Sequence, residues 1–228
     1  MGSGAPKQLA FDLPHRPASG WDDFLVAPPN AAAVDWIDRW PDWPGCGLAL
    51  YGPQGSGKTH LVRVWQRRSG ARLLRPDELA TLDFITLLAS PGSVAVDDCD
   101  RQIPEAPLLH LYNLVASAGS HVLLAGREPP SRWPVSLPDL RSRLGTLPAV
   151  AISGPDDALL AGLLVKLFAD RQLRVENAVI EYLLPRMERS FAAAQRLVKR
   201  MDRSALALGR APTVSLARSA LEEEQREH

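Results

Sequence analysis

One glycine-rich stretch carries the clearest chemical signature in this chain. Residues 52–59 read Gly-Pro-Gln-Gly-Ser-Gly-Lys-Thr and match G-x-x-x-x-G-K-[ST] at every fixed position. Glycines let consecutive backbone N–H groups turn toward one phosphate without Cβ clashes, and a helix that begins near Lys58 adds its N-terminal dipole. Lys58 is expected to reach the β- and γ-phosphates, and Thr59 to ligate Mg²⁺.

This motif predicts a site for a nucleoside triphosphate or diphosphate. The alternative is a glycine-rich turn that matches by accident, and the apolar strand before the motif and the helical stretch after it argue against that alternative. The residues predicted to contact the nucleotide here are Gly52, Pro53, Gly55, Ser56, Gly57, Lys58, Thr59 and His60.

An acidic pair follows a second apolar strand, Ser93 to Val96. Asp97 at the strand tip can hold Mg²⁺ through water, and Asp98 can orient the water that attacks the phosphate. Many strands end in an acid, so the pair alone is weak evidence. One strand and one helix separate it from the glycine-rich motif, and this spacing makes the pair typical of a Walker B site.

The elements that must position these groups alternate between strand and helix up to Ile152. This pattern predicts an α/β fold with a parallel sheet covered by helices on both faces. Strands are predicted at 48–51, 71–74, 93–96, 121–124 and 149–152, and helices at 31–39, 58–68, 76–90, 107–119 and 137–144. No strand is predicted later, where helices are expected at 156–170, 176–187, 190–208 and 215–225.

These patterns divide the chain into three parts: a loosely held tail (1–14), a nucleotide-binding base (15–153) and an all-α lid (154–228). The tail has prolines on both sides of an apolar trio, which is suited to docking into a partner's pocket or to packing on its own domain. The partner-binding residues predicted from this pattern are Leu9, Phe11 and Leu13, and the family resemblance described below adds Gln8.

Composition limits the classes of function. Lys+Arg and Asp+Glu both total 26 in the 228 residues, so no overall basic field marks a nucleic-acid-binding protein. Any DNA contact would come from a local patch or through a partner. A basic face in the third lid helix favours a solvated helix face over a DNA site, and its members are Arg196, Lys199, Arg200 and Arg203.

The cysteines and the hydropathy pattern indicate a protein of the reducing cytosol. Cys46 and Cys99 lack metal-ligand spacing and are expected to be ordinary buried thiols. No apolar run approaches the ~18 residues of a membrane span, and we expect no signal peptide before Gln8. The predicted location is therefore cytoplasmic.

Two places in the base offer additional charged groups. After the strand at 121–124, either Arg127 or Glu128 is placed to sense the γ-phosphate, and either is also compatible with a solvated turn. The short helix at 137–144 carries two arginines, and one of them can be presented to a neighbour's γ-phosphate as an arginine finger. A surface ion pair is the alternative interpretation of these arginines.

Together, these motifs resemble those of AAA+ ATPases of the bacterial initiator DnaA type. The resemblance extends from Phe11 to Leu221 and is sharpened by three stretches: GKTH at 57–60, VDD at 96–98 and LPDLRSRL at 137–144. It implies a P-loop AAA+ base that binds ATP or ADP with Mg²⁺, followed by a helical lid. From these residues alone, we expect neither the oligomerisation domain nor the helix-turn-helix domain of those initiators.

Within that type, the chain resembles the Hda family of short DnaA homologues, because Gln8 to Leu13 is similar to a clamp-binding peptide of the Q-L-x-L/F kind. The resemblance implies a regulator that binds the sliding clamp (the β subunit of DNA polymerase III) and inactivates the initiator DnaA. Further expectations are a possible homo-oligomer, mainly indirect DNA contact and a place near the nucleoid and replisome.

The same resemblance implies roles for residues outside the two motifs. Arg143 would be the arginine finger offered to initiator-bound ATP, and Arg189 the lid arginine that touches the chain's own nucleotide. The segment with Phe24 and Val26 would form one wall of the adenine pocket, although it also suits an aromatic contact that holds the N-terminus to the core.

One departure from the family affects the predicted activity. DnaA-type proteins usually place a short polar or acidic residue near the position of Arg127, so we expect weak hydrolysis by this chain itself and a retained ADP. Two other classes stay open: a helicase-loader-like AAA+ ATPase that binds the replicative helicase, and an unrelated P-loop enzyme such as a small-molecule kinase.

Overall fold

The computed structural model describes residues 26–84, 92–100 and 103–226. The described chain forms two compact units with a boundary between Gly154 and Pro155. We call residues 26–154 the sheet unit and residues 155–226 the helical unit. The tail residues Gln8, Leu9, Phe11 and Leu13, and also Phe24, lie outside the described residues, so the predictions for them stay predictions.

A five-stranded parallel sheet forms the centre of the sheet unit and confirms the predicted fold class. The strands are β1 Gly47–Tyr51, β2 Arg72–Leu74, β3 Val94–Val96, β4 Val122–Gly126 and β5 Ala149–Ala151. Their order in the sheet is β2-β3-β4-β1-β5, so the first strand lies between the two that come last in the chain. In register, Gly47 of β1 lies opposite Val122 of β4, and Leu50 opposite Val150 of β5.

Both faces of the sheet are covered, which explains why its strands read as continuous apolar runs. Alternate side chains of one strand enter different cores: Leu123 packs with Trp65 and Ile37 on one face, whereas Leu124 packs with Leu111 and the rest of the opposite core. The helices that supply these faces are α1 Ala31–Asp38, α2 Lys58–Ser69, α3 Pro76–Leu79, α4 Glu105–Ser117 and α5 Pro138–Thr146.

The third helix ends earlier than the sequence predicted. The pattern predicted a helix from Pro76 to the Pro91-Gly92 pair, but α3 ends at Leu79, and residues 85–91 of the predicted stretch lie outside the described residues. After it, the chain forms tight turns, in which the N–H of Thr81 donates to the carbonyl of Glu78 at 3.3 Å. An i to i−3 bond of this kind replaces the i to i−4 ladder, so the helix stops there.

The helical unit contains no strand among residues 155–226, in agreement with the prediction. Asp156 and Ser190 cap two of its helices, because their side-chain oxygens accept from the N–H groups of Leu159 and Ala193 at 2.7 and 3.1 Å. The helices are α6 Asp157–Ala169, α7 Asn177–Leu183, α8 Phe191–Leu208 and α9 Val214–Arg226. Only α7 is clearly shorter than predicted.

Acidic residues neutralise part of the basic face of α8. Arg196 forms ion pairs with Glu224 of α9 at 2.7 Å and with Glu188 at 3.4 Å, and Arg200 lies 3.5 Å from Glu223. These pairs favour the interpretation of the face as a solvated, ion-paired surface over a DNA site. In the described part of the chain, no helix combines the length and apolar character needed to cross a membrane.

Candidate functional site

The glycine-rich motif forms the loop between β1 and α2. Its glycines adopt backbone angles that other residues rarely take: φ is +153° at Gly52, +76° at Gly55 and +100° at Gly57. α2 begins at Lys58, so its first N–H groups face the loop. This is the geometry in which a loop and a helix N-terminus together surround a phosphate.

Gly52 is also required by packing. A Cβ at this position would lie 2.0 Å from the carbonyl oxygen of Ile152, on the strand-to-loop junction beside β1. We expect Gly52→Ala to destabilise the sheet unit by roughly 3 kcal/mol or more, because it combines a backbone clash with a positive φ. Urea unfolding followed by circular dichroism measures this loss.

Gly70→Ala is the matched control, because Gly70 has a φ of +67° and nothing lies within 4 Å of the position that its added methyl group would occupy. Its cost is expected to be about 1 kcal/mol, from backbone strain alone. Equal unfolding midpoints for the two variants would contradict the packing argument at Gly52.

Lys58 is buried at the first position of α2, with only 7% of its surface exposed. Its ammonium group donates to the carbonyl oxygens of Gly52 and Pro53, both at 2.7 Å. Burial lowers the pKa of Lys58, and the nearby carboxylates of Asp97, Asp100 and Asp98 oppose this effect. The charged group therefore lies inside the loop, where the phosphates of a nucleotide would be held.

Thr59 and Asp97 meet although they come from different elements. The Thr59 hydroxyl donates to Asp97 Oδ2 at 2.6 Å, which joins the start of α2 to the end of β3. One hydroxyl and one carboxylate suit Mg²⁺, which usually takes one or two protein ligands and completes its shell with water and phosphate oxygens. The two residues therefore fit the predicted metal role.

Asp98 has a different environment from Asp97. Its φ is +59°, unusual for a residue other than glycine, and its N–H donates to Asp97 Oδ1 at 3.0 Å. The Asp98 side chain is exposed and borders a cleft of about 630 Å³ together with Arg75 and Pro104. A carboxylate in this position is accessible to water, as its predicted role requires.

Arg127 and Glu128, at the end of β4, have different side-chain partners. The Arg127 guanidinium donates to Gln54 Oε1 of the loop at 3.0 Å, whereas Glu128 pairs with Arg132 at 3.1 Å. Arg127 is therefore the residue that lies at the loop.

Sequence reasoning missed two partners of Arg127. Gln54 occupies a variable position of the motif, so nothing in the pattern marks it. Asp100 accepts from the Arg127 N–H at 2.8 Å through Oδ2, and its Oδ1 is buried with no hydrogen-bond partner among the described residues. The only available signal for Asp100 was a third acid that closely follows the Walker B pair.

The two arginines of α5 are not equivalent. Arg141 donates to the backbone carbonyl of Val135 and so stabilises the chain that enters α5. Arg143 is exposed, and its guanidinium carbon lies 5.9 Å from the centroid of the Tyr112 ring. Within the described part of the chain, no ion pair of Arg143 is found, so the surface ion pair considered from the sequence is not formed there.

The other residues predicted to contact the nucleotide are Val26, His60 and Arg189. Val26 is half-buried and packs against the core that contains α1, and His60 is half-buried in the first turn of α2. Arg189, in the helical unit, forms an ion pair with Asp157 at 2.8 Å.

Cys46 is half-buried, which corrects the expectation that both thiols are buried. Burial raises the pKa of the Cys99 thiol, so it stays protonated and structural.

Solved structures with this architecture were found, although no family model matches the sequence. Domain III of the Thermotoga maritima replication initiation protein DnaA aligns with a TM-score of 0.75 at 16% identity, over 92% of this chain and 98% of that chain. AMPPCP-bound DnaA from Aquifex aeolicus aligns with a TM-score of 0.69 at 18% identity, over 90% of this chain and 67% of that chain. The Thermotoga maritima RuvB Holliday junction branch migration motor aligns with a TM-score of 0.61 at 17% identity, over 77% of this chain and 61% of that chain.

The chain has the AAA+ ATPase fold. At these identities the similarity concerns the fold alone. It agrees with the DnaA-type architecture expected from the motifs, and it extends over both the parallel sheet and the C-terminal helices.

The AAA+ sheet explains how distant residues form one site. β4 lies between β3 and β1, and all three strands are parallel, so their carboxyl ends share one edge. That edge carries the loop after Tyr51, Asp97 after β3 and Arg127 after β4. Ligands of open α/β sheets bind at this edge, which is where the structure brings the P-loop and Walker B groups together.

Proposed function

We propose that this chain is a DnaA-type regulator of chromosomal replication initiation that binds the sliding clamp and stimulates ATP hydrolysis by the initiator DnaA. The observation that carries the proposal is an exposed arginine, Arg143, on a short helix of an AAA+ sheet unit similar to DnaA domain III. The clamp-binding pattern of the tail supports it from the sequence.

The nucleotide would be ATP or ADP. The positive-φ glycines, the buried Lys58 ammonium and the α2 N-terminus support phosphate binding, and one DnaA of similar fold was solved with AMPPCP. Thr59 and Asp97 would hold Mg²⁺, which neutralises charge on the phosphates. Arg189, His60 and the segment with Phe24 and Val26 are further proposed nucleotide contacts.

Hydrolysis by the chain itself is proposed to be slow. Arg127 spans to Gln54 at the position where DnaA-type proteins usually carry a short polar or acidic residue. A second cation beside Lys58 favours retention of a negatively charged nucleotide. In this role the bound nucleotide acts mainly as a structural ligand, and Asp98 supports only a low intrinsic ATPase activity.

The main activity is proposed to occur in trans. The tail binds a DNA-loaded clamp, and Arg143 enters the ATP site of an adjoining initiator molecule. There its guanidinium stabilises the charge that develops on the transferring phosphoryl group. This role places the protein in the cytoplasm at the replisome, with mainly indirect DNA contact.

Clamp binding is the experiment that tests this proposal first. The double substitution Gln8→Ala and Phe11→Ala is expected to weaken binding of the purified protein to the clamp by about 30-fold or more, because anchor residues of an interface each contribute strongly. Surface plasmon resonance with immobilised clamp measures the affinity.

The matched control changes two tail residues that are not proposed as anchors, Lys7→Ala and Asp12→Ala, and should bind like wild type. A wild-type chain that does not bind the clamp would refute the clamp-dependent role. Binding to the replicative helicase would then be measured, since a helicase loader is the remaining AAA+ alternative.

A further inference from the structure

Helix α4 contacts both ends of α5, the helix that carries Arg143. At the first end, the Glu105 carboxylate accepts from the N–H groups of Ser136 at 2.9 Å and Leu137 at 2.6 Å. These N–H groups precede Pro138, where α5 begins. The bonds from Leu137 and Ser136 lower the pKa of Glu105, as expected for a carboxylate stabilised by backbone donors.

At the second end, Tyr112 lies beneath the arginine. The Tyr112 ring is buried to 8% exposure, and the Arg143 guanidinium lies 5.9 Å from its centroid, within the range of a cation–π contact. At the same end of α5, the Thr146 hydroxyl donates to the Arg143 carbonyl at 2.8 Å.

This arrangement addresses a physical difficulty of the proposed arginine finger. α5 has nine residues and is too short to be stable alone, so packing on its neighbours must fix its position. A long exposed arginine side chain samples many rotamers, and only a fraction of them reach a given point on another molecule. Contacts that restrict α5 and the guanidinium before binding reduce the entropy lost on docking.

We propose that Glu105 and Tyr112 are positioning residues for Arg143: Glu105 fixes the start of α5, and the Tyr112 ring holds the guanidinium at its end. This inference rests on the proposed function of Arg143 in trans. Neither residue touches the nucleotide in this role. Each acts through the arginine.

The first test compares two substitutions of Tyr112 in the full chain. Tyr112→Leu removes the aromatic ring, and Tyr112→Phe keeps it. In initiator ATPase assays with DNA-loaded clamp, Tyr112→Leu is expected to lower the maximal stimulated rate about tenfold, and Tyr112→Phe to retain it within about twofold. The concentration of this protein that gives half-maximal stimulation should stay unchanged, because clamp binding depends on the tail.

Tyr182→Leu is the matched control. Tyr182 also lies beneath an arginine, Arg186, at 4.2 Å from the ring centroid, but in the helical unit. Loss of that contact should leave the maximal stimulated rate at the wild-type value. A general loss of stability would instead lower the apparent amount of active protein in both leucine variants.

The second test concerns Glu105. Glu105→Ala removes the acceptor for the N–H groups of Ser136 and Leu137, and is expected to lower the maximal stimulated rate severalfold; Glu105→Gln keeps an acceptor and should recover part of it. Glu78→Ala is the control, because Glu78 accepts from the N–H of Arg75 at 2.6 Å and so caps α3 rather than α5.

Side-chain NMR of Arg143 separates failure of this inference from failure of the proposed function. Ring-current shifts of the Arg143 δ protons should be present in wild type and Tyr112→Phe and absent in Tyr112→Leu. Unchanged shifts in Tyr112→Leu would overturn the positioning inference whether or not the chain stimulates the initiator. Wild-type stimulation in Tyr112→Leu, with Arg143→Ala inactive, would also overturn it and leave the proposed function intact.

Discussion

Arg143→Ala is expected to lower the stimulated rate of ATP hydrolysis by the initiator about 10³-fold, while clamp binding stays at the wild-type affinity. An arginine finger supplied in trans contributes about 10³ to 10⁵ in rate in GTPases, because its charge stabilises the transferring phosphoryl group. The Arg143 side chain is exposed and lies over the Tyr112 ring of its own chain, so its guanidinium is accessible to another molecule. Single-turnover hydrolysis of radiolabelled ATP on the initiator measures the effect.

Arg141→Ala provides the matched control on the same helix. Because the Arg141 guanidinium is bonded to the carbonyl of Val135, its role is to stabilise the entry to α5. We expect at most a severalfold loss of stimulation for this variant. An Arg143→Ala protein that stimulates the initiator as well as wild type would refute the arginine-finger assignment, whatever the result at Arg141.

Lys58→Ala is expected to weaken ATP and ADP binding by about 100-fold, since hydrogen bonds to charged groups contribute roughly 1.5 to 3 kcal/mol each. The ammonium group lies inside the loop and donates to the carbonyls of Gly52 and Pro53, so it is already directed at the place where phosphates would be held. Alanine removes this charge without adding bulk. Isothermal titration calorimetry with each nucleotide measures the change in affinity.

Lys199→Ala serves as the control for charge removal, because Lys199 is exposed on α8 of the helical unit. Its nucleotide affinity should equal that of wild type. Lys58→Ala needs an independent check of folding, and its circular dichroism spectrum and unfolding midpoint should stay close to wild type. A folded Lys58→Ala protein with undiminished affinity would exclude the P-loop as the nucleotide site.

Local signals in the sequence were sufficient to predict the fold class. The strand at 93–96, the glycine-rich motif and the helices that begin at 156 and 190 depend on residues close together in the chain, so their patterns can be recognised without a structure. The parallel sheet and the helical C-terminal region follow from the order of these elements. The tail motif is also a sequence signal, and its function remains a prediction.

Tertiary structure decided which polar and charged side chains meet. Arg127 and Gln54 are far apart in sequence and become neighbours only because β4 lies beside β1, and the same strand order brings Asp97 to Thr59. Equally, the sequence does not distinguish Arg141 from Arg143, since the difference is that one guanidinium reaches a backbone carbonyl and the other an aromatic ring. Such contacts depend on strand order and helix packing. Both are set by residues far apart in the chain, so the position of a residue in the sequence does not specify its contacts.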